Sequence, residues 1–95
     1  MTFEFAGELW YWRGPAPYYF VKVPENGCRQ LKAMSGEVSY GWGVIPATVR
    51  IGATEWTTSL LPKDGQYLVP IKALVRAAEE LEDGDRVELR LTVAG

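Results

Sequence analysis

Histidine is absent from all 95 residues. That removes the commonest general base near neutral pH and the commonest metal ligand. It also excludes Ser-His-Asp and Cys-His nucleophile arrangements within one chain. Cysteine occurs once, as Cys28, so no intramolecular disulfide can form. No apolar run approaches the ~20 residues of a membrane-spanning helix, and no basic-then-apolar start resembles a secretory leader. A reducing cytoplasm is therefore the expected compartment, with no membrane partner. Gly-rich phosphate loops of the P-loop or dinucleotide kind are missing too. Nor is there an excess of positive charge: 10 Lys and Arg stand against 12 Asp and Glu, net −2. The acids thicken only at Glu79, Glu80, Glu82, Asp83 and Asp85. Nucleic-acid binding draws much of its affinity from neutralised phosphates, so the lack of a basic stripe weighs against it.

What is present is ordinary for a globular chain, 47% hydrophobic and 23% charged. Residues 1–95 fit one domain, large enough to bury roughly 60–68% of its unfolded surface without a metal or a disulfide. Phe3, Phe5, Leu9 and Tyr11 alternate with Glu4, Ala6, Glu8, Trp10 and Trp12, the period of a strand with one face inward. Gly7 within it predicts a bulge or a bend. Gly14 to Pro17 reads as a loop and Tyr18 to Val23 as a second strand, ended by Pro24. A short helix is expected over Glu25 to Ser35, capped by Asn26, with Cys28, Leu31 and Met34 on its apolar side and Ser35-Gly36 as its stop. A stretch from Val38 to Ile45 holds Tyr40-Gly41-Trp42-Gly43. Ala47–Ile51 and Thr54–Leu61 read as a hairpin, with a turn at Pro62–Gly65 and a strand over Gln66–Val69.

Pro70 suits the first turn of a second helix. There Ile71, Leu74, Val75, Ala78 and Leu81 recur as one apolar stripe. Asp83-Gly84-Asp85 turns the chain into the cleanest alternation of all, with Val87, Leu89, Leu91 and Val93 inward. Val23-Pro24 and Val69-Pro70, each preceding a helix, echo one another 46 residues apart, which suggests two similar halves related by a pseudo-twofold. Short strands, punctual turns and two short helices predict a mainly β fold, a small antiparallel barrel whose closure hides strand edges.

Gly41-Trp42-Gly43-Val44-Ile45-Pro46, Ile51-Gly52, Trp56 to Gly65, Tyr67 to Lys72, Val75-Arg76-Ala77 and Gly84 to Val87 together resemble the bacterial domain of unknown function 1905. The opening strand, Tyr19-Phe20-Val21 and Val23-Pro24 resemble its N-terminal half. The resemblance implies a double-split β-barrel, a class that also holds dimeric DNA-binding transition-state regulators, and no established activity. Some chains of this kind continue into a second domain of the YdeI/OmpD-associated type, and these 95 residues would hold the first alone.

Three features bear on function. Cys28, on the apolar side of a helix, is expected to be a buried inert thiol, although a helix N-terminus can also depress a thiol's pKa. Lys72 and Arg76, four residues apart on one helix flank, repel each other by roughly 0.2–0.5 kcal/mol, which an anion would relieve. The simpler account pairs Arg76 with Glu79. Four Trp and five Tyr exceed the needs of so small a core; Trp10, Trp12, Tyr40 and Trp42 mark a binding surface, a dimer seam or an aromatic cap on the barrel. With Lys72 and Arg76 they form the candidate ligand-binding set. The expectation is a non-enzymatic binding or interaction module, monomer or homodimer, for an anionic small molecule or a protein. A DNA-associated regulator, by fold analogy alone, and an enzyme without histidine chemistry are the alternatives. No cofactor or metal is called for.

Overall fold

The structure is a computed structural model that describes residues 1–14, 18–38 and 45–93, with the backbone alone described over 34–38. Its elements are β1 (Thr2–Trp12), β2 (Tyr18–Lys22), α1 (Glu25–Val38), β3 (Ile45–Ile51), β4 (Thr54–Lys63), β5 (Gln66–Ile71), α2 (Ala73–Ala78) and β6 (Arg86–Val93). All six strands close into one antiparallel barrel in the order β1-β2-β5-β4-β3-β6. Among the described residues, no helix is long and apolar enough to cross a membrane.

The long strands β1 and β4 each serve two neighbours. Thr2 to Glu8 pair with β6, and Leu9 to Trp12 pair with β2. Ile51 to Ile45 receive Thr54 to Leu60, and Leu61 to Lys63 pair with β5. This is the double split. Leu9 and Leu60, each fully buried, stand where the two strands change partner. The register relates the halves about two self-paired positions, Val21 opposite Val69 and Arg50 opposite Arg90. Through them β1, β2, α1 and β3 correspond in order to β4, β5, α2 and β6. Leu9 corresponds to Leu60, Phe5 to Trp56, Tyr19 to Tyr67, Val23 to Ile71 and Cys28 to Arg76. The expected pseudo-twofold is thus present, although the Val-Pro echo is two residues out of step with it: Val69 answers Val21, not Val23.

Alternation fills the interior. In β3 and β6 every second residue is buried, and Val21, Val49, Leu60, Val69, Val87, Leu91 and Val93 lie in one core. Across the outer face Glu4, Arg90, Arg50 and Glu55 stand in a row over four strands. Like charges directly opposite destabilise a sheet, and the flanking glutamates offset the central arginine pair.

Several boundaries depart from the sequence expectation. α1 starts at Glu25, so Asn26 lies inside its first turn, and the helix runs through Ser35-Gly36 to Val38. β3 begins at Ile45 and contains Pro46; the turn after β4 is only Asp64-Gly65, both at positive φ (50° and 77°), with Pro62 still in the strand. Pro70 and Ile71 belong to β5, because pairing with Phe20 and Tyr19 extends that strand. α2 is consequently six residues long, and Leu74, expected in its apolar stripe, is 81% exposed. Gly7 carries no bulge, since the β1–β6 register is unbroken through it. Its lack of a side chain instead lets β1 pass Val21, whose Cγ1 would lie 2.8 Å from an added Cβ.

Trp56 packs against the core with its indole Nε1 buried and without an acceptor among the described residues. Its counterpart in the other half is Phe5, which needs no acceptor. A buried unpaired N–H costs about 1–3 kcal/mol. Trp56→Phe is therefore expected to leave urea-unfolding stability unchanged or to raise it by up to ~1 kcal/mol, the lost ring area offsetting part of the gain. A loss above ~2 kcal/mol would show that the N–H is satisfied.

Candidate functional site

Past the split, β1 and β2 form a ribbon, its β2 edge held by β5 over Tyr19 to Lys22, that is aromatic on both faces. Trp10 lies opposite Phe20 and Trp12 opposite Tyr18, on the outer face; Tyr11 lies opposite Tyr19 on the face shared with Leu9 and Val21. The rings touch. Trp12 and Tyr18 stack at 5.8 Å and 15°, Tyr18 and Phe20 lie at 5.8 Å, and Tyr11 and Tyr19 at 4.8 Å. Tyr11 shares the inward parity expected of it but lies where β1 has left β6, and is 39% exposed; Trp10 is 46% exposed. Desolvation by burial pushes the Tyr18 phenol above its ordinary pKa.

Each of four cations lies over one of these rings. The Lys63 ammonium stands 3.2 Å from the Trp12 ring centroid, Arg76 3.8 Å from Tyr19, Lys22 5.8 Å from Trp10 and Arg13 5.9 Å from Tyr11. Among the described residues, the ion pairs are Arg29–Glu25 and Arg90–Glu4, so none of the four has a carboxylate partner. The tight Asp64-Gly65 turn delivers Lys63, which corresponds to Trp12 in the opposite half. Arg76 is oriented by a 2.9 Å bond from Nη1 to the Ile71 carbonyl, and among the described residues its other N–H groups meet no acceptor. The site has an acidic border. Leu9 donates its backbone N–H to the Asp85 carbonyl and accepts one from Gly84, so the Glu82–Asp85 turn abuts the base of the ribbon.

The candidate residues named from sequence are thereby sorted. Trp10 and Trp12 share the outer face, whereas Arg76 packs against Tyr19 on the other. Lys72 precedes α2 and donates to the Thr57 carbonyl at 3.2 Å. Tyr40 and Trp42 lie outside the described residues. Glu79 does not pair with Arg76: its carboxylate takes a 2.6 Å bond from Thr54 and packs against Gly52. Sequence reasoning missed Lys22 and Lys63, whose rings are supplied by another strand that no local spacing reveals, and Arg13, whose ring Tyr11 stands two residues before it and was legible in the strand period.

Cys28 is buried, donating to the Val23 carbonyl at 3.2 Å and accepting from the Tyr67 N–H at 3.4 Å. It is the counterpart of Arg76, whose guanidinium bonds Ile71 as the thiol bonds Val23. One half therefore closes this position with sulfur while the other places a cation there. Thiol labelling of the native protein by a disulfide reagent is expected to run at the rate of opening, at least a hundred-fold slower than in urea. Equal rates would mark an accessible, reactive thiol.

A family model described as "Domain of unknown function (DUF1905)" matches residues 5–91, nearly the whole chain. No curated protein matches it.

Proposed function

We propose that the chain, which belongs to the DUF1905 family, is a binding module whose β1–β2 ribbon takes an anionic ligand. One observation carries this reading: four cations lie over the rings of two neighbouring strands, two on each face, and among the described residues none of them meets a carboxylate. A cation over a ring face is held in place at a gain of about 0.5–1 kcal/mol at an exposed site. That places donors in advance and reduces the ordering cost when an anion arrives. Arg76 is the residue best prepared, with its stem fixed by Tyr19 and Ile71 and its remaining fork free for a carboxylate or a phosphate. The absence of any histidine in the chain and the burial of Cys28 support binding rather than catalysis.

Calorimetric titration with pyrophosphate at low salt tests the reading. Saturable binding is expected, weakened about ten-fold or more by Arg76→Ala, since a hydrogen bond to a charged group is worth roughly 1.5–3 kcal/mol. Arg13→Ala, at an exposed position, should also weaken it without lowering Tm. No saturable binding, or unchanged affinity in both variants, contradicts the proposal.

A further inference from the structure

We infer that the anion this ribbon takes is single-stranded nucleic acid, a statement that rests on the anion-binding reading and narrows its ligand. The four cation–ring pairs are of two kinds. Lys63 and Arg76 lie close over their rings, at 3.2 and 3.8 Å, so Trp12 and Tyr19 have one face covered already. Lys22 and Arg13 stand off at 5.8 and 5.9 Å, and the rings beneath them, Trp10 on the outer face and Tyr11 on the opposite one, are exposed at 46% and 39%. Open aromatic faces beside cations match a ligand that carries flat π-systems on a polyanionic backbone. Bases stack on such rings whatever their sequence, and phosphates meet the nearby ammonium and guanidinium groups.

Trp12 is already occupied by Lys63 and stacked with Tyr18, so on the outer face the open ring is Trp10, with Lys22 over it and Lys63 two residues further along the strand at Trp12. A duplex would offer phosphates but keep its base faces stacked away from Trp10 and Tyr11. An acidic peptide would satisfy the cations and leave those rings bare.

The net charge of −2 does not oppose this. Among the described residues, the acids placed next to the ribbon are Glu8, two residues before Trp10, Asp64 beside Lys63, and the Glu82–Asp85 turn against Leu9. They bound the basic surface at its base and confine contact to the outer end of the ribbon. The footprint is therefore short, two or three nucleotides, and its salt dependence shallow.

The test is a fluorescence titration of the 95-residue protein at low salt with four probes: octathymidylate, octauridylate, a duplex of equal charge, and octaglutamate. Either single strand is expected to bind tightest and to quench Trp emission. Trp10→Ala, at a half-exposed position, should weaken that binding roughly five- to hundred-fold with Tm unchanged, the worth of one stacked base. Lys63→Ala should lower the salt slope by about one phosphate contact. Preference for DNA over RNA, or the reverse, assigns the sugar and supports the inference either way. Octaglutamate or the duplex binding as tightly as the single strands overturns it, as does Trp10→Ala binding like the parent. Pyrophosphate binding without any oligonucleotide binding overturns it while leaving the anion site intact. If no anion binds, both fall.

Discussion

Everything in this molecule depends on two self-paired contacts, Val21 against Val69 and Arg50 against Arg90. They join the halves of the chain along β2–β5 and β3–β6. Once those pairs form, β1 and β4 have to divide themselves between two partners, because each begins beside one seam and ends beside the other. The fully buried Leu9 and Leu60 mark the divisions, and Gly7 removes the Cβ that would strike Val21 where β1 crosses over. Closure then follows without an exposed edge, and hydrophobic burial along alternating positions supplies the stability. Past Leu9, β1 leaves β6 and pairs with β2, and there the aromatic residues gather.

The two halves share a plan and differ in content, and the difference has a functional direction. Position by position, Cys28 answers Arg76, Lys63 answers Trp12 and Phe5 answers Trp56. In the α1 half the thiol bonds Val23 and Tyr67 and the interior is sealed. In the α2 half a six-residue helix brings a guanidinium to Tyr19. The two equivalent positions thus differ in chemistry, an inert thiol at one and a guanidinium at the other. Glu79 contributes by staying away: Thr54 and Gly52 hold its carboxylate at the β3–β4 turn, so Arg76 is not neutralised from its own helix.

Much of the fold was legible in the residues. The alternation in β6 and β3 left one choice of inward face, and the halves were visible as an echo even though their true register was offset by two. The errors came where pairing overrides local preference. Pro70 looks like a helix start, but its partner Phe20 draws it into β5; Leu74 looks like core, but the shortened helix turns it to solvent. Trp10, Trp12 and Arg76 were identifiable from composition and pattern. Their partners were not, because Lys63 reaches Trp12 across a strand order, β1-β2-β5-β4, that no local spacing encodes. A net charge near neutrality hid a basic ribbon beside an acidic turn. Charge summed over a chain says little about charge summed over one face.

The central claim is that the β1–β2 ribbon, and not the charged row on β6 and β3, receives the anion. Pyrophosphate titration followed by ¹H–¹⁵N correlation spectra tests it most directly. The account predicts shifts concentrated at the Trp10 and Trp12 indole N–H groups and at the backbone amides of Tyr11, Arg13, Tyr19 and Arg76, with Arg50 and Arg90 unmoved. Shifts confined to Arg50, Arg90 and their neighbours, or an unperturbed ribbon at saturation, would contradict it.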